Sequence, residues 1–313
     1  MLLAFTVSSF VYLSFGNIYS NSILNYEAFN HQFHSGVYQY RILSAKLLMG
    51  TYDFLGSLGL NYDVFKLKFF NPDSEPQMYL SFYALNTFFT VLSAGMMVLI
   101  LESKSFKATS SEKILLTCLG IFSIVFTQFA LSPYDCSSYF FLLLFIYFFL
   151  QYLEKEKPLQ LVLLAFIIVI STLNRESSAL SLSFAATLLL SQFGLKKKTF
   201  TTVLVLGVAF LMTYLGLRFS AESFTTNDGN LIVENFSEPK NYLGMLFWFV
   251  FFMLTLLLSN NQNNKKQIYI FHVWAIPYIF MCFYTGILYE VRLYIPLFLS
   301  CLILTKYEQK VMT

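Results

Sequence analysis

Charge is what this sequence has least of. Asp, Glu, Lys and Arg make up 12% of its 313 residues, about half the ~25% of an ordinary soluble domain. A chain so poor in charge cannot cover a water-facing surface, which excludes disorder and a charged coiled coil. Glycine (13) and proline (7) are too few for a collagen-like or linker-rich chain. Four cysteines, Cys118, Cys136, Cys282 and Cys301, show no CxxC spacing. They read as buried thiols rather than a disulfide or zinc framework. A net charge of +3, with no basic run longer than Lys196–Lys198, gives no reason to expect a nucleic-acid partner. What is abundant is apolar and aromatic: 57% hydrophobic residues, 37 Phe and 21 Tyr, with a mean hydropathy of +0.63. The composition therefore predicts an all-α polytopic membrane protein, a single bundle over residues 1–313.

A bilayer-crossing helix needs about 20 mostly apolar residues. About ten segments qualify as candidates: 2–20, 77–101, 113–131, 134–153, 158–173, 177–194, 199–219, 241–259, 268–287 and 290–306. The first lacks a basic start and an A-x-A site, so it reads as a retained span. Alternate connections and the C-terminal tail carry twelve lysines, no arginine and five acids. They include Lys104, Lys107, Lys113, Lys155, Lys157, Lys265, Lys266 and Lys306. The positive-inside rule puts this side, and both termini, in the cytoplasm. The other side carries eight cations against twelve acids, and all four arginines. A planar guanidinium fork suits phosphate or carboxylate better than a lysine does, so recognition is expected on that outer face.

The first outer loop, about 21–76, is not low in complexity. Its stretches Val37–Leu48, Phe54–Leu60 and Val64–Phe70 predict juxtamembrane helices at the outer interface. A second outer loop, about 220–240, carries the turn signal Asn227-Asp228-Gly229. No internal repeat is visible.

Charges gather where outer helix ends are predicted. Ser132-Pro133-Tyr134-Asp135 reads as a helix start. Asp135 has a capping account and a substrate-facing one. In Asn174-Arg175-Glu176, Asn174 can cap and Glu176 suits the positive end of the helix dipole, whereas Arg175 does not and needs an anion. That anion is a neighbouring carboxylate or a ligand. Glu290-Val291-Arg292 repeats the pattern, with Pro296 placed to loosen the helix. Two positions apart on a helix, Glu290 and Arg292 face different ways and are not expected to neutralise each other. Two such helix starts form a natural phosphate site, which Arg41, in Tyr40-Arg41, is placed to close; snorkelling is its other account. Further upstream, Glu27, His31 and His34 share one face if their segment is helical. A carboxylate with nearby imidazoles can act as a general base. The same three can also bind a divalent metal, or simply form the polar face of an interfacial helix.

With a lone acid soon after the first span, a long first outer loop, and the segments Tyr40-Arg41-Ile42-Leu43, Asn174-Arg175-Glu176-Ser177 and Glu290-Val291-Arg292-Leu293-Tyr294-Ile295-Pro296, the chain resembles small bacterial members of the C-type (GT-C fold) glycosyltransferases. The family's first-loop acid is typically Asp, often in an acidic pair, where this chain has a single Glu27. The resemblance implies inverting transfer of a sugar from a polyprenyl-phosphate donor to a hydroxyl of a glycan, lipid or protein acceptor. The reaction would occur on the outer face of the bacterial cytoplasmic membrane, in cell-envelope polysaccharide synthesis. Glu27 would be the base, with Asp135 the second choice. Arg41, Arg175 and Arg292 would hold the leaving phosphate. His31, His34, Tyr40, Glu176 and Glu290 would support them, and no metal is assigned. The rival classes are a transporter or lipid flippase and an O-antigen-type polymerase. Charges at span ends, the lack of repeats, and ion-free stretches at 140–150 and 245–258 favour the enzyme over alternating access.

Overall fold

A backbone buried in lipid has to satisfy its hydrogen bonds internally, and an apolar chain does so most simply as helices. The computed structural model describes residues 1–14, 20–62, 69, 71–221, 224–226 and 229–308; among them there is no strand, only an isolated bridge between Phe106 and Tyr307. The helices are α1 (Leu2–Ser14), α2 (Tyr26–Phe33), α3 (Ile42–Ser57), α4 (Pro76–Leu101), α5 (Ser110–Phe126), α6 (Asp135–Lys155) and α7 (Pro158–Asn174). They continue as α8 (Ala179–Phe193), α9 (Lys197–Phe219), α10 (Ile232–Ser237), α11 (Asn241–Leu258), α12 (Gln262–Trp274), α13 (Ile276–Thr285) and α14 (Ile295–Leu304).

Each of the ten apolar segments contains helix, and among the described residues fewer than ten helices are long and apolar enough to cross a membrane unbroken. Five helices are long and apolar enough to cross a membrane: α4, α5 with its 3-10 extension to Phe129, α6, α9 and α11. A sixth crossing arises if α12 and α13, bent by 52°, count as one span. Part of the shortfall comes from helix breaks, while α7, at 17 residues, is simply short. Ala275 separates α12 from α13, where Pro277 stands in the first turn. Short 3-10 turns, Glu176–Ser178 and Val291–Leu293, precede α8 and α14. The C-terminal part of the first segment, and the Val64–Phe70, Asn227 and Asp228 predictions, lie wholly or mostly outside the described residues. In the first outer loop, α3 runs through most of the expected 37–48 helix and into the 54–60 stretch, and the segment of Glu27 and His31, whose helicity the sequence leaves open, forms α2.

Helix α6 is the hub. It is apolar all round, as a buried helix should be. It packs on α4, α7, α8 and α14, with Phe145 and Phe149 fully enclosed. Helices α9 and α11 instead leave about half of their apolar side chains exposed, including Met212, Phe219 and Leu257.

The two ends of the bundle differ in chemistry. At one end the lysine-bearing connections are tied together. Lys306 Nζ donates to Glu112 (2.5 Å) and to Asn260 (2.6 Å). Ser105 donates to Glu154 at 2.9 Å, and Lys198 pairs with Glu156. Thr109 and Glu112 complete a reciprocal capping box that starts α5. At the opposite end lie the starts of α6, α8 and α14, and with them the arginines.

Candidate functional site

The site is built on the first residue of α6. Ser132 Oγ accepts the Tyr134 N–H at 3.2 Å, so the chain turns tightly and Asp135 opens the helix, where a carboxylate suits the dipole. Capping is not the main task of this carboxylate. Asp135 is 2% exposed and forms ion pairs with both Arg175 and Arg292, the latter at 3.0 Å. The two arginines thus converge, as their unfavourable positions at helix starts implied. The anion that answers them is a carboxylate of the protein.

Each arginine is held by its backbone. Arg175 is extended (φ −165°, ψ 144°), with its N–H donating to Ser171 O at 2.9 Å. Asn174, expected as a cap for α8, instead ends α7 and knots three helices. Its Nδ2 donates to Tyr134 O (3.2 Å), and its Oδ1 accepts from Ser137 (3.0 Å) and Ser44. Arg292 lies in the Val291–Leu293 turn, whose carbonyls are gripped by Tyr139 Oη (3.1 Å) and Tyr278 Oη (2.8 Å).

Glu290 and Arg292 do neutralise each other, contrary to expectation, at 2.6 Å. The expectation assumed α-helix. Glu290 is extended (ψ 90°) ahead of a 3-10 turn, and this brings the two side chains to the same side. Pro296 stands in the first turn of α14, so it starts that helix rather than loosening it.

Arg41 forms a two-pronged pair with Glu176, Nε to Oε2 at 3.1 Å and Nη2 to Oε1 at 2.9 Å. Its guanidinium also lies over the rings of Tyr38 (5.0 Å) and Tyr134 (5.5 Å). This fixed geometry replaces the snorkelling account. Burial alone would raise the Glu176 carboxyl, but the charge and hydrogen bonds of Arg41 override it and hold it down at about 2. The pair is therefore ionised at any physiological pH. Tyr40 is buried, and its hydroxyl accepts the Thr225 N–H at 2.9 Å.

Glu27, His31 and His34 do share a face of α2, but the structure does not bring them to the arginines. Asn25 caps the helix by accepting from Glu27 N (3.0 Å) and Ala28 N (3.2 Å). The Glu27 carboxylate is exposed and lines an open recess with Tyr26, Asn30, His31, His34 and Ser35, none of them an arginine. His34 Nδ1–H donates to Asn30 O at 2.8 Å. Among the described residues, no group of three or more His, Cys, Asp or Glu side chains is placed to hold a metal ion. Glu27, expected to act as base beside the phosphate-holding arginines, thus lines a polar recess on α2, whereas Arg175 and Arg292 lie in a buried ion network at the starts of α6, α8 and α14.

Sequence reasoning gave no role to Tyr134, Tyr139 or Tyr278, nor the knot at Asn174. Nothing in the local pattern distinguishes these from any other Tyr or Asn in an apolar chain. Comparison with family models, curated proteins and solved structures gives no match to this chain.

Proposed function

We propose that the chain is an integral-membrane glycosyltransferase that moves a sugar from a polyprenyl-phosphate donor to an acceptor hydroxyl, with inversion. The observation that carries this reading is the gathering of Arg41, Arg175 and Arg292, from three distant segments, at the bundle end opposite the lysines. Burying ionised groups is costly, and clusters of them in clefts are candidate functional sites. In an in-line displacement the leaving phosphate acquires charge, and preorganised guanidinium groups stabilise it. Arg41 and Arg292 keep 14% and 17% of their side chains accessible, so one edge of the network is open to a ligand. The prenyl tail would lie against the apolar faces that α9 and α11 leave exposed.

Asp135 is held by two guanidinium groups. It spaces Arg175 and Arg292. Glu27 serves as base only in a state in which α2 carries it from its exposed recess to the arginine network, because a general base acts within hydrogen-bond reach of the acceptor; its exposure in the α2 recess counts against the assignment. Ten crossings, cytoplasmic termini and an outward-facing site in the bacterial cytoplasmic membrane complete the reading. A transporter is the second reading, favoured by the 52° break between α12 and α13 and by the 3-10 breaks beside the buried ions.

The test is transfer by the purified chain in liposomes containing a panel of polyprenyl-monophosphate hexoses and pentoses. Glu27→Gln should lower turnover by about 10²–10⁴-fold with donor binding intact, the usual worth of a general base. Arg175→Lys and Arg292→Lys should each impair turnover, since a point charge does not replace the fork. Solute flux without sugar transfer would favour the transporter. Full turnover in both Lys variants would make the arginines structural.

A further inference from the structure

The fourth arginine is not accounted for by the network. Arg218 closes the last turn of α9 and is 2% exposed. Its guanidinium lies between two rings, 3.5 Å from the centroid of Tyr214 and 4.4 Å from that of Tyr40. Nε donates to Thr225 O at 3.1 Å and Nη1 to Tyr214 O at 3.4 Å. Nη2 is buried with no acceptor. Among the described residues, Arg41, Arg175 and Arg292 each have a carboxylate, and Arg218 has none.

The position at a helix C-terminus explains part of this, because carbonyl dipoles there favour a cation. It accounts for the contact to Tyr214 O and leaves Nη2 unanswered. Aromatic faces and carbonyls supply partial charges only, whereas a buried charge is ordinarily matched by a full counter-charge. The three arginines of the network already balance Asp135, Glu176 and Glu290. Arg218 is therefore the buried arginine at this end that has no carboxylate of its own among the described residues. Its ring partner Tyr40 is the residue before Arg41, so Arg218 adjoins the network.

We propose that Arg218 is an anion-binding site of its own. Its guanidinium, packed over the rings of Tyr40 and Tyr214, takes an oxygen of a phosphate group in exchange for the weaker carbonyl contact of Thr225. The ligand class is a phosphate ester or free phosphate. Its identification with the donor's lipid phosphate rests on the glycosyltransferase reading; the anion site itself does not.

The experiment is direct binding without acceptor, by titration calorimetry on the detergent-solubilised full chain. The probes are a short-chain prenyl monophosphate, the matching prenyl alcohol, and inorganic phosphate. The wild type should bind the prenyl monophosphate and not the alcohol. Arg218→Gln should weaken this binding by roughly 10- to 100-fold, the worth of a charged hydrogen bond. Equal sensitivity of inorganic phosphate binding to the substitution would identify free phosphate as a ligand. Binding of the lipid alone would identify the membrane source. Arg218→Lys keeps the charge and is the control against misfolding, with an expected loss of several-fold. Unchanged affinity in either folded variant, or no phosphate binding by the wild type, overturns the proposal. Arg218-dependent binding without sugar transfer would leave it standing and remove the transferase reading.

Discussion

Asp135 holds two guanidinium groups, and they do not depend on it equally. Arg292 keeps Glu290 if Asp135 is removed, whereas Asp135 is the carboxylate ion-paired with Arg175. Asp135→Ala should therefore destabilise the protein mainly by stranding Arg175, at a cost of about 3–5 kcal/mol, the range for breaking a buried pair. Thermal unfolding in detergent measures it. Adding Arg175→Met should recover part of the loss, because the stranded charge is then gone. A single-variant loss under about 1 kcal/mol would mean that water already solvates the cluster. The need of Arg175 for an anion was legible in the sequence, since a cation at a helix start is misplaced. The identity of the anion was not. Asp135 and Arg292 are 157 positions apart, and no local pattern reports such a meeting. The choice of Glu27 over Asp135 rested on the dipole already explaining Asp135; burial between two arginines is a property of the assembled bundle.

At the scale of elements, apolar runs reveal where helices are and say little about where they break. The break before α14 matters most, because it sets Glu290 beside Arg292. That segment is clasped by the corner between α10 and α11. Asn235 Oδ1 accepts Leu288 N at 3.2 Å, and Asn241 Oδ1 accepts Tyr289 N at 3.2 Å. Gly244 lets α11 lie directly against the backbone, for a Cβ there would collide with the Leu288 carbonyl. Backbone cannot move aside as a flexible side chain does. Gly244→Ala should therefore cost about 1–3 kcal/mol by overpacking, and should lower turnover as well, because the displaced segment leads into Glu290 and Arg292. Gly50, inside α3 with open space around it, is the control. Gly50→Ala should be neutral or stabilising by up to about 1 kcal/mol. Equal unfolding temperatures for the two variants would mean that the α11 contact is not tight. The 3-10 turn at Val291–Leu293 had no sequence signal of its own, and the helical spacing argument failed there for that reason.

For the whole molecule, sidedness was the most legible property. Twelve of the sixteen lysines and none of the arginines fall in the alternate connections and tail, and the folded chain holds Lys306 with Glu112 at one end and Arg175 and Arg292 on Asp135 at the other. A lysine needs only to stay hydrated on its side to fix topology. An arginine fork between carboxylates specifies geometry. This division of labour predicts orientation. In a background without the four native cysteines, Ser110→Cys and Lys197→Cys, both exposed at the lysine end, should react with an impermeant maleimide only when the cytoplasmic side is opened. Asn230→Cys, exposed between α9 and α10, should react in intact cells. The reverse pattern would place the arginine network inside the cell, where an outward-facing transferase has no acceptor, and would remove the proposed function whatever the arginine variants do. Labelling of all three sites from one side would mean that α9 does not cross the membrane, although its length and apolar surface make it one of the five helices suited to do so.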